Sequence, residues 1–259
     1  MIPVYVINLK RSGDRRAWMQ SELNRTGVDA EFLAAADGRR FPTLCKGKSG
    51  LLSKEEVALV ISHRRAWRKL LASPASCAVV LEDDVHFGAN IREFLEVDFS
   101  QYSFHAIKLE MWSSRVWISR KAQPACGRKL HRLGHEHFGA AAYVISRAGA
   151  KKLLAATRPI FEPVDVTLFG RRAIVNNELK VLQLVPAIAI QDSSLPQAAA
   201  KRNFDSILHE DRARIKAAIR LNKPRGLLRL KKEALRISDQ MRRWITLLPT
   251  MRCATISWE

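Results

Sequence analysis

The apolar positions of the first hundred residues alternate between two periods. Short β-rich runs at residues 4–9, 30–35 and 77–81 are separated by stretches with helical spacing. Ser53 and Glu56 have the S-x-x-E form of a capping box, which predicts that a helix begins there. Alternating strand and helix patterns favour a layered α/β domain over an all-α or all-β one.

The same alternation continues through the second hundred residues. Compact apolar runs predict further strands at residues 106–109, 141–145 and 181–184. A helix is expected at residues 147–156, with Ser146 as its N-cap. No internal repeat interrupts this order, so one layered domain accounts for the pattern.

The pattern changes near residue 200. From Lys201 onward, basic residues outnumber acidic ones and strand-like runs are absent. We therefore predict a main domain at residues 1–200 and a basic helical tail at residues 201–259. Part of the tail has an apolar face opposite a basic one, so it would lie on an anionic membrane, or pack on the domain or a dimer partner. The apolar face comprises Leu227, Leu230, Ala234, Ile237, Met241, Trp244 and Leu248.

Composition narrows the classes of partner. The 259 residues carry a formal net charge of +19, which attracts polyanions such as nucleic acid, anionic lipid or phosphorylated sugars. A nucleic-acid-binding protein is the alternative from another class, although no recognisable nucleic-acid-binding motif accompanies the charge. The cysteines form no C-x-x-C pair, which argues against a zinc site and favours a reducing cytosol. We expect neither an export signal nor a transmembrane segment.

Three consecutive carboxylates follow the apolar run at residues 77–81. Glu82, Asp83 and Asp84 therefore lie at the carboxyl end of a predicted strand, where open α/β sheets bind ligands. In extended backbone, Glu82 and Asp84 point to one side and Asp83 to the other. Two carboxylates suit a hard cation such as Mn²⁺ or Mg²⁺, which can also hold a nucleotide diphosphate. A solvated acidic turn is the alternative interpretation.

A series of short motifs extends over residues 2–195. They are Val6-Ile7-Asn8-Leu9, Arg11-Ser12 with Arg15-Arg16, residues 55–63, Glu82-Asp83-Asp84-Val85, Ile107-Lys108-Leu109-Glu110, residues 139–150 and Pro163-Val164-Asp165. Their order resembles glycosyltransferase family 25, which includes bacterial lipooligosaccharide galactosyltransferases. Several motifs in the same order are more specific than any single one.

The resemblance implies a GT-A-type, Rossmann-like fold with a mixed sheet, a UDP-sugar donor and inversion at the anomeric carbon. It implies that Asp84 and Glu82 hold Mn²⁺ or Mg²⁺, and that Asp83 contacts the ribose or a basic group. An inverting displacement also needs a base that takes the proton of the acceptor hydroxyl. Asp165 is the first candidate and Glu110 the second, although Asp165 would equally serve as a helix N-cap.

Further residues are candidates for contact with the donor. Arg11 and Arg15, beyond the first strand, would meet the diphosphate or form a solvated helix face. His63 would contact the donor or the metal, or pack in the core. Ser193 belongs to a polar turn near the acceptor side or to an ordinary loop. The histidines of residues 135–137 lack a third ligand, which argues against a metal site there.

We therefore expect an enzyme that transfers a hexose, galactose or glucose, to a lipooligosaccharide or another cell-surface glycan on a lipid carrier. The expected location is the cytoplasm, peripheral to the inner face of the cytoplasmic membrane, where the tail would meet anionic lipid. A degenerate transferase that acts only in assembly is a third possibility, against which the three retained acids argue. The donor sugar, the acceptor, the linkage and the oligomeric state stay open.

Overall fold

The computed structural model describes residues 2–42, 44–46, 51–112, 115–176, 178–195 and 249–259. In chain order, its strands are β1 (Val4–Asn8), β2 (Glu31–Ala34), β3 (Leu44–Lys46), β4 (Leu51–Ser53), β5 (Cys77–Glu82), β6 (Val85–Phe87), β7 (Ala106–Lys108), β8 (Glu110–Met111), β9 (Arg115–Ala125), β10 (Arg128–Leu133), β11 (Ala142–Ser146), β12 (Val181–Val185), β13 (Ala189–Gln191) and β14 (Met251–Thr255). Its helices are α1 (Gly13–Thr26), α2 (Lys54–Ala72), α3 (Ile91–Leu95), α4 (Arg147–Ala156), α5 (Val164–Phe169) and α6 (Arg171–Ile174).

A large mixed sheet forms the centre of the domain. Its nine strands lie in the order β14-β9-β10-β12-β7-β11-β5-β1-β2. β2, β1 and β5 are parallel, as are β7 and β12, whereas the other neighbouring pairs are antiparallel. A smaller sheet, in the order β6-β13-β8, begins just after β5 ends. The predicted α/β class with a mixed sheet is confirmed.

Helices cover both faces of the large sheet because successive side chains of a strand point to opposite sides. In β1, Tyr5 and Ile7 belong to a core that includes residues of α2, α4, α5 and α6. Val4 and Val6 belong to the opposite core, with residues of α1 and α3. Because β1 and β5 are parallel neighbours between these layers, their carboxyl ends open at the same edge of the sheet.

Local sequence signals set the helix boundaries. The Ser53 hydroxyl accepts the Glu56 N–H at 3.1 Å, and the Glu56 carboxylate accepts the Ser53 N–H at 3.0 Å, which completes the predicted capping box. The Ser146 hydroxyl accepts the Gly149 N–H at 3.1 Å and caps α4. Gly27 ends α1 at a φ of 64°, which glycine adopts without strain. The helix predictions that rested on these signals are confirmed.

Two parts of the large sheet were not predicted. β9 and β10 form a hairpin whose turn residues, Cys126 and Gly127, both have positive φ. β14 pairs antiparallel with β9, so the assignment of residues 251–255 to a helical tail is wrong. In β14 only Met251 is buried, and an edge strand with one buried side chain carries no apolar alternation in its sequence.

Residues that follow β14 also contact the main domain. The Arg128 guanidinium donates to the Glu259 carbonyl oxygen at 2.8 Å and to the Ala187 carbonyl oxygen at 3.2 Å. Gly88 packs so closely here that a Cβ atom would lie 1.8 Å from the Glu259 oxygen. Residues 249–259 therefore belong to the main domain.

The rest of the predicted tail, residues 201–248, lies outside the described residues, and so does its amphipathic stretch. Among the helices that the structure describes, none combines the length and the apolar character needed to cross a bilayer.

Candidate active site

The three consecutive carboxylates lie where β5 ends and the chain turns into β6. Glu82 is the last residue of β5, and the five residues before it are buried. One cleft at this edge of the sheet joins the carboxylates to side chains from α1, α5, β13 and the segment after β8. The polar and aromatic side chains that line it include Arg11, Arg15, Glu55, Ser62, Glu82, Asp83, Asp84, Trp112, Asp165, Gln191 and Ser193.

Asp83 is buried and held by residues of β1 and α1. Asn8, the last residue of β1, donates from Nδ2 to Asp83 Oδ2 at 2.7 Å. Arg15, in the first turn of α1, places Nε 3.1 Å from Asp83 Oδ1 and Nη2 2.7 Å from Asp84 Oδ2. Burial raises the pKa of Asp83, whereas the Arg15 charge and the Asn8 hydrogen bond lower it. Asp83 thus fixes the guanidinium that bridges it to Asp84.

Glu82 adjoins a buried chain of hydrogen bonds. Trp67 donates its Nε1–H to the Tyr143 hydroxyl oxygen at 2.8 Å, and that oxygen lies 2.8 Å from His63 Nδ1. His63 Nε2 lies 3.5 Å from Glu82 Oε1. Complete burial lowers the pKa of His63 to about 3, so its ring is neutral at pH 7. If His63 Nδ1 accepts the Tyr143 proton, Nε2 carries the ring proton and faces Glu82.

The carboxylates repel one another enough to alter the titration of Glu82. Burial, followed by repulsion from Asp84 and Asp83, raises the pKa of Glu82 to about 8. Within the described residues, no group of three His, Cys, Asp or Glu side chains could hold a metal ion by itself. An ion bound beside Glu82 and Asp84 would therefore complete its coordination with water or with a ligand such as a diphosphate.

Asp165 lines the same cleft from α5. Pro163 is the N-cap residue of α5, so the alternative prediction of Asp165 as that cap is wrong. Asp165 lies in the first turn, half-buried, and its Oδ1 accepts the Val166 N–H at 3.0 Å. Its negative charge adds a small contribution to the raised pKa of Glu82, after burial and the charges of Asp84 and Asp83.

Glu110, the second candidate for the base, lies beneath the cleft wall. It is 0% exposed, and it accepts from Lys108 Nζ at 2.7 Å and from the Ala141 N–H at 3.0 Å. Lys108 also donates to the Gly139 carbonyl oxygen at 2.6 Å. Gly139 has a φ of 89°, and a Cβ there would lie 3.0 Å from Glu110 Oε1. Glu110 is therefore closed off from the cleft, whereas Asp165 lines it.

The predicted site residues divide into two groups. Seven of them line the cleft, namely Arg11, Arg15, Glu82, Asp83, Asp84, Asp165 and Ser193. Arg11 also lies 3.6 Å from Asp37, and Ser193 belongs to the short 3-10 turn Asp192–Ser194. His63 and Glu110 are not among the lining residues, because both are buried below it.

The histidine pair of residues 135–137 takes no part in the cleft. His137 is buried, and its Nδ1 lies 2.9 Å from Gln183 Oε1. Burial, reinforced by the nearby Lys108 charge, lowers the pKa of His137 to about 3. His137 is therefore a neutral core histidine.

Several residues of the site had no predicted role. Asn8 and Gln191 are polar residues that end apolar strands, a signal that could have revealed them, and Gln191 Nε2 lies 3.4 Å from Asp84 Oδ1. Tyr143 and Lys108 lie within apolar strands, and only the pairing of β7, β11 and β5 brings them under the cleft. Trp112 follows β8 and lines the cleft as an exposed aromatic side chain.

Comparison with known proteins identifies the family. The model of glycosyltransferase family 25, described as LPS biosynthesis protein, matches residues 1–168. The chain belongs to glycosyltransferase family 25. This confirms the predicted resemblance and makes the protein a glycosyltransferase of a lipooligosaccharide and lipopolysaccharide biosynthesis family.

Its relatives include proteins of two bacterial genera. Lipooligosaccharide biosynthesis protein lic2B of Haemophilus influenzae is 28% identical over 211 residues, 74% of this family 25 chain and 76% of its own. Lacto-N-neotetraose biosynthesis glycosyltransferase LgtB of Neisseria meningitidis serogroup B is 30% identical over 206 residues, 73% of this chain and 74% of its own. A solved glycosyltransferase involved in the glycosylation of the major capsid of PBCV-1 is 10% identical, with a TM-score of 0.41 and coverage of 77% and 96%.

Replacement of Lys108 by Met should destabilise this family 25 domain by about 3–5 kcal/mol at pH 8, because Glu110 becomes an uncompensated buried charge. Without Lys108, burial raises the folded-state pKa of Glu110 further above its unfolded value. A raised folded pKa gives stability at low pH that is lost as the pH rises through it, so the deficit should be smaller at pH 5. Urea unfolding at both pH values measures this difference.

The matched control is Lys108→Met combined with Glu110→Gln, which removes both charges and should recover part of the lost stability at pH 8. A deficit of equal size at pH 5 and pH 8 in the single variant would show that packing, and not the charge of Glu110, sets the loss.

Proposed function

We propose that this protein transfers a hexose, galactose or glucose, from a UDP-sugar to a glycan acceptor on a lipid carrier, with inversion at the anomeric carbon. The observation that carries the proposal is the single cleft that joins three carboxylates, Arg15 and Asp165 in a family 25 chain. The relatives' names, which refer to lipooligosaccharide and lacto-N-neotetraose biosynthesis, support a saccharide acceptor. The parallel unit β2-β1-β5, which ends at the cleft, supports a GT-A-type arrangement.

Glu82 and Asp84 are the proposed ligands of Mn²⁺ or Mg²⁺. Carboxylate oxygens suit a hard cation, and the repulsion that raises the pKa of Glu82 is relieved by positive charge. A bound divalent ion supplies the charge that stabilises a departing UDP. Asp83 is held by Asn8 on the β1 side, so its proposed role is to position Arg15.

Arg11 and Arg15 are the proposed contacts of the diphosphate. Both line the cleft beside the carboxylates, and a guanidinium can donate two parallel hydrogen bonds to phosphate oxygens. His63 is buried 3.5 Å from Glu82, so it would orient that carboxylate and not touch the donor. Ser193 lines the cleft with its hydroxyl, where it can bind a hydroxyl of the substrate.

Asp165 is the proposed general base. It lines the cleft that holds the metal-binding carboxylates, whereas Glu110 is sealed below Gly139 with Lys108 as its counter-ion. A base must reach the proton of the attacking hydroxyl directly or through one water. Access to the cleft supports Asp165 in this role over Glu110.

The acceptor and the location are part of the same proposal. Residues 201–248 contain a basic amphipathic stretch that would hold the protein at the inner face of the cytoplasmic membrane, near a lipid-borne acceptor. The alternative of nucleic-acid binding through the basic tail gains no support from the comparisons, which match a glycosyltransferase family.

Asp84→Ala should abolish transfer and the Mn²⁺-dependent part of UDP binding, because one carboxylate ligand is lost. Calorimetry with UDP, with and without Mn²⁺, and transfer assays with a panel of UDP-sugars measure both effects. The exposed Asp29→Ala is the matched control and should behave as wild type. Mn²⁺-stimulated UDP binding of wild-type strength in Asp84→Ala would refute the metal assignment.

Asp165→Asn should lower the turnover number by about 10² to 10⁴ while UDP affinity stays unchanged, since the amide cannot accept the proton. Steady-state kinetics and UDP calorimetry separate the two quantities. Glu162→Gln, which removes a carboxylate three residues earlier, should leave turnover unchanged. An active Asp165→Asn beside an inactive but folded Glu110→Gln would transfer the role of base to Glu110.

Replacement of the basic residues of the amphipathic stretch by Gln should weaken binding to vesicles that contain phosphatidylglycerol, since each charge contributes about 1 kcal/mol at such a surface. Residues 249–259 must be kept, because β14 is part of the large sheet. Co-sedimentation at low and high salt measures the binding, and UDP affinity should not change. Unaltered vesicle binding would remove the membrane role. The residues to be replaced are Arg229, Lys231, Lys232, Arg236, Arg242 and Arg243.

A further inference from the structure

Trp112 is an exposed indole in the cleft that contains the carboxylates. Among the described residues, the exposed large apolar side chains are Trp112 at 39%, Phe138 at 38% and Phe161 at 45%. Single exposed apolar residues are common on protein surfaces and need no explanation. Trp112 differs from Phe161 because it lines the cleft that contains Glu82, Asp84 and the other carboxylates. An aromatic face kept open beside charged groups calls for a ligand with both apolar and polar surface.

The backbone of Trp112 is held in place by the smaller sheet. Trp112 directly follows β8, which pairs in parallel with β13. The register aligns Met111 of β8 with Ile190 of β13. Trp112 and Gln191 are the residues that follow these two in sequence. Gln191 also lines the cleft, and its amide lies 3.4 Å from Asp84 Oδ1. The backbone of Trp112 therefore directly follows a strand pair that also places Gln191 beside Asp84.

The cleft has two halves, separated by the carboxylates at the end of β5. In the large sheet β5 lies between β1 and β11, so one half is built from the ends of β1 and β2, with Leu9, Ala36 and Gly38. The other half contains Trp112 and Gly139, and Asp165 of α5 lines the same cleft. Nucleotides bind at the carboxyl ends of parallel strands, which places the donor nucleotide in the first half.

We propose that Trp112 is the stacking platform for a pyranose ring of the acceptor glycan. This inference rests on the proposed function and adds a binding subsite to it. A pyranose has an apolar face of C–H groups, which packs on the electron-rich face of an indole, and an edge of hydroxyl groups. The carboxylate of Asp165, the amide of Gln191 and the hydroxyl of Ser193 line the same cleft and can bind that edge.

Stacking on Trp112 would bring the acceptor to the base. Asp165 must meet one hydroxyl of the acceptor, and a sugar held by only one or two hydrogen bonds in water is poorly oriented. A flat aromatic face fixes the plane of the ring and leaves its hydroxyl edge free to meet the carboxylate. Trp112 thus selects for a saccharide, whereas an alcohol without a ring would lack this contact.

The test compares Trp112→Ala, Trp112→Phe and Phe161→Ala in the full-length chain. The acceptor probes are methyl hexosides and methyl 2-acetamido-2-deoxyhexosides, which have no aromatic aglycone. Trp112→Ala should raise the acceptor KM about tenfold or more, and Trp112→Phe should restore most of the affinity. Phe161→Ala, the control that removes an aromatic side chain outside the cleft lining, should leave the KM unchanged. In all three variants the Kd of UDP with Mn²⁺ should stay within about twofold of wild type.

Direct binding supplies a second measurement. Saturation-transfer NMR with UDP present should show contact between the wild-type protein and at least one methyl glycoside, and Trp112→Ala should lose it. If no probe binds the wild type, if Trp112→Ala keeps its acceptor KM, or if its UDP affinity falls instead, the subsite is overturned. The last outcome would assign the indole to the nucleobase. Failure of the proposed function is distinct, because the wild type would then neither bind UDP nor hydrolyse any UDP-sugar.

Discussion

A carboxylate removed from water keeps its charge only with compensating partners, and β5 delivers three carboxylates to one edge of the sheet. Arg15 spans Asp83 and Asp84, and Asn8 adds a hydrogen bond to Asp83. Glu82 has the neutral His63 at 3.5 Å, and its pKa stays raised to about 8. Compensation is therefore incomplete on the Glu82 side. The divalent cation that we propose would supply positive charge on that side.

The layer beneath the carboxylates explains how they stay in place. Tyr143 of β11 links Trp67 to His63, while the residues just before β11 are held by Lys108 and Glu110. β11 and the residues just before it thus contact both the groups beneath Glu82 and the wall at Gly139. Hydrogen bonds between buried polar groups limit the alternative arrangements of this layer, although His63 Nε2 and Glu110 Oε2 are buried without a hydrogen-bond partner among the described residues.

The elements that could be predicted were those determined by local sequence signals. The capping box at Ser53 and the apolar runs predicted their elements, and parallel strands explain why motifs distant in sequence meet at one edge. The β9–β10 hairpin and β14 were missed because β9 and β14 bury few side chains, and because the buried residues of β10 do not alternate regularly with exposed ones. Which of Asp165 and Glu110 reaches the cleft also needed the structure, because burial beside Lys108 depends on strand pairing that local sequence does not encode.

The net positive charge of the chain attracts anions at long range, whereas the carboxylates of the cleft repel them at short range. The net charge of +19 would attract the proposed nucleotide-sugar donor from a distance, although salt screens that attraction beyond about 10 Å. Within the cleft, Glu82 and Asp84 would repel its diphosphate at contact. Arg15 offsets part of this repulsion, but it is already engaged with both neighbouring acids. Donor affinity should therefore depend on a divalent cation at contact range, while the basic excess affects chiefly how often the donor arrives.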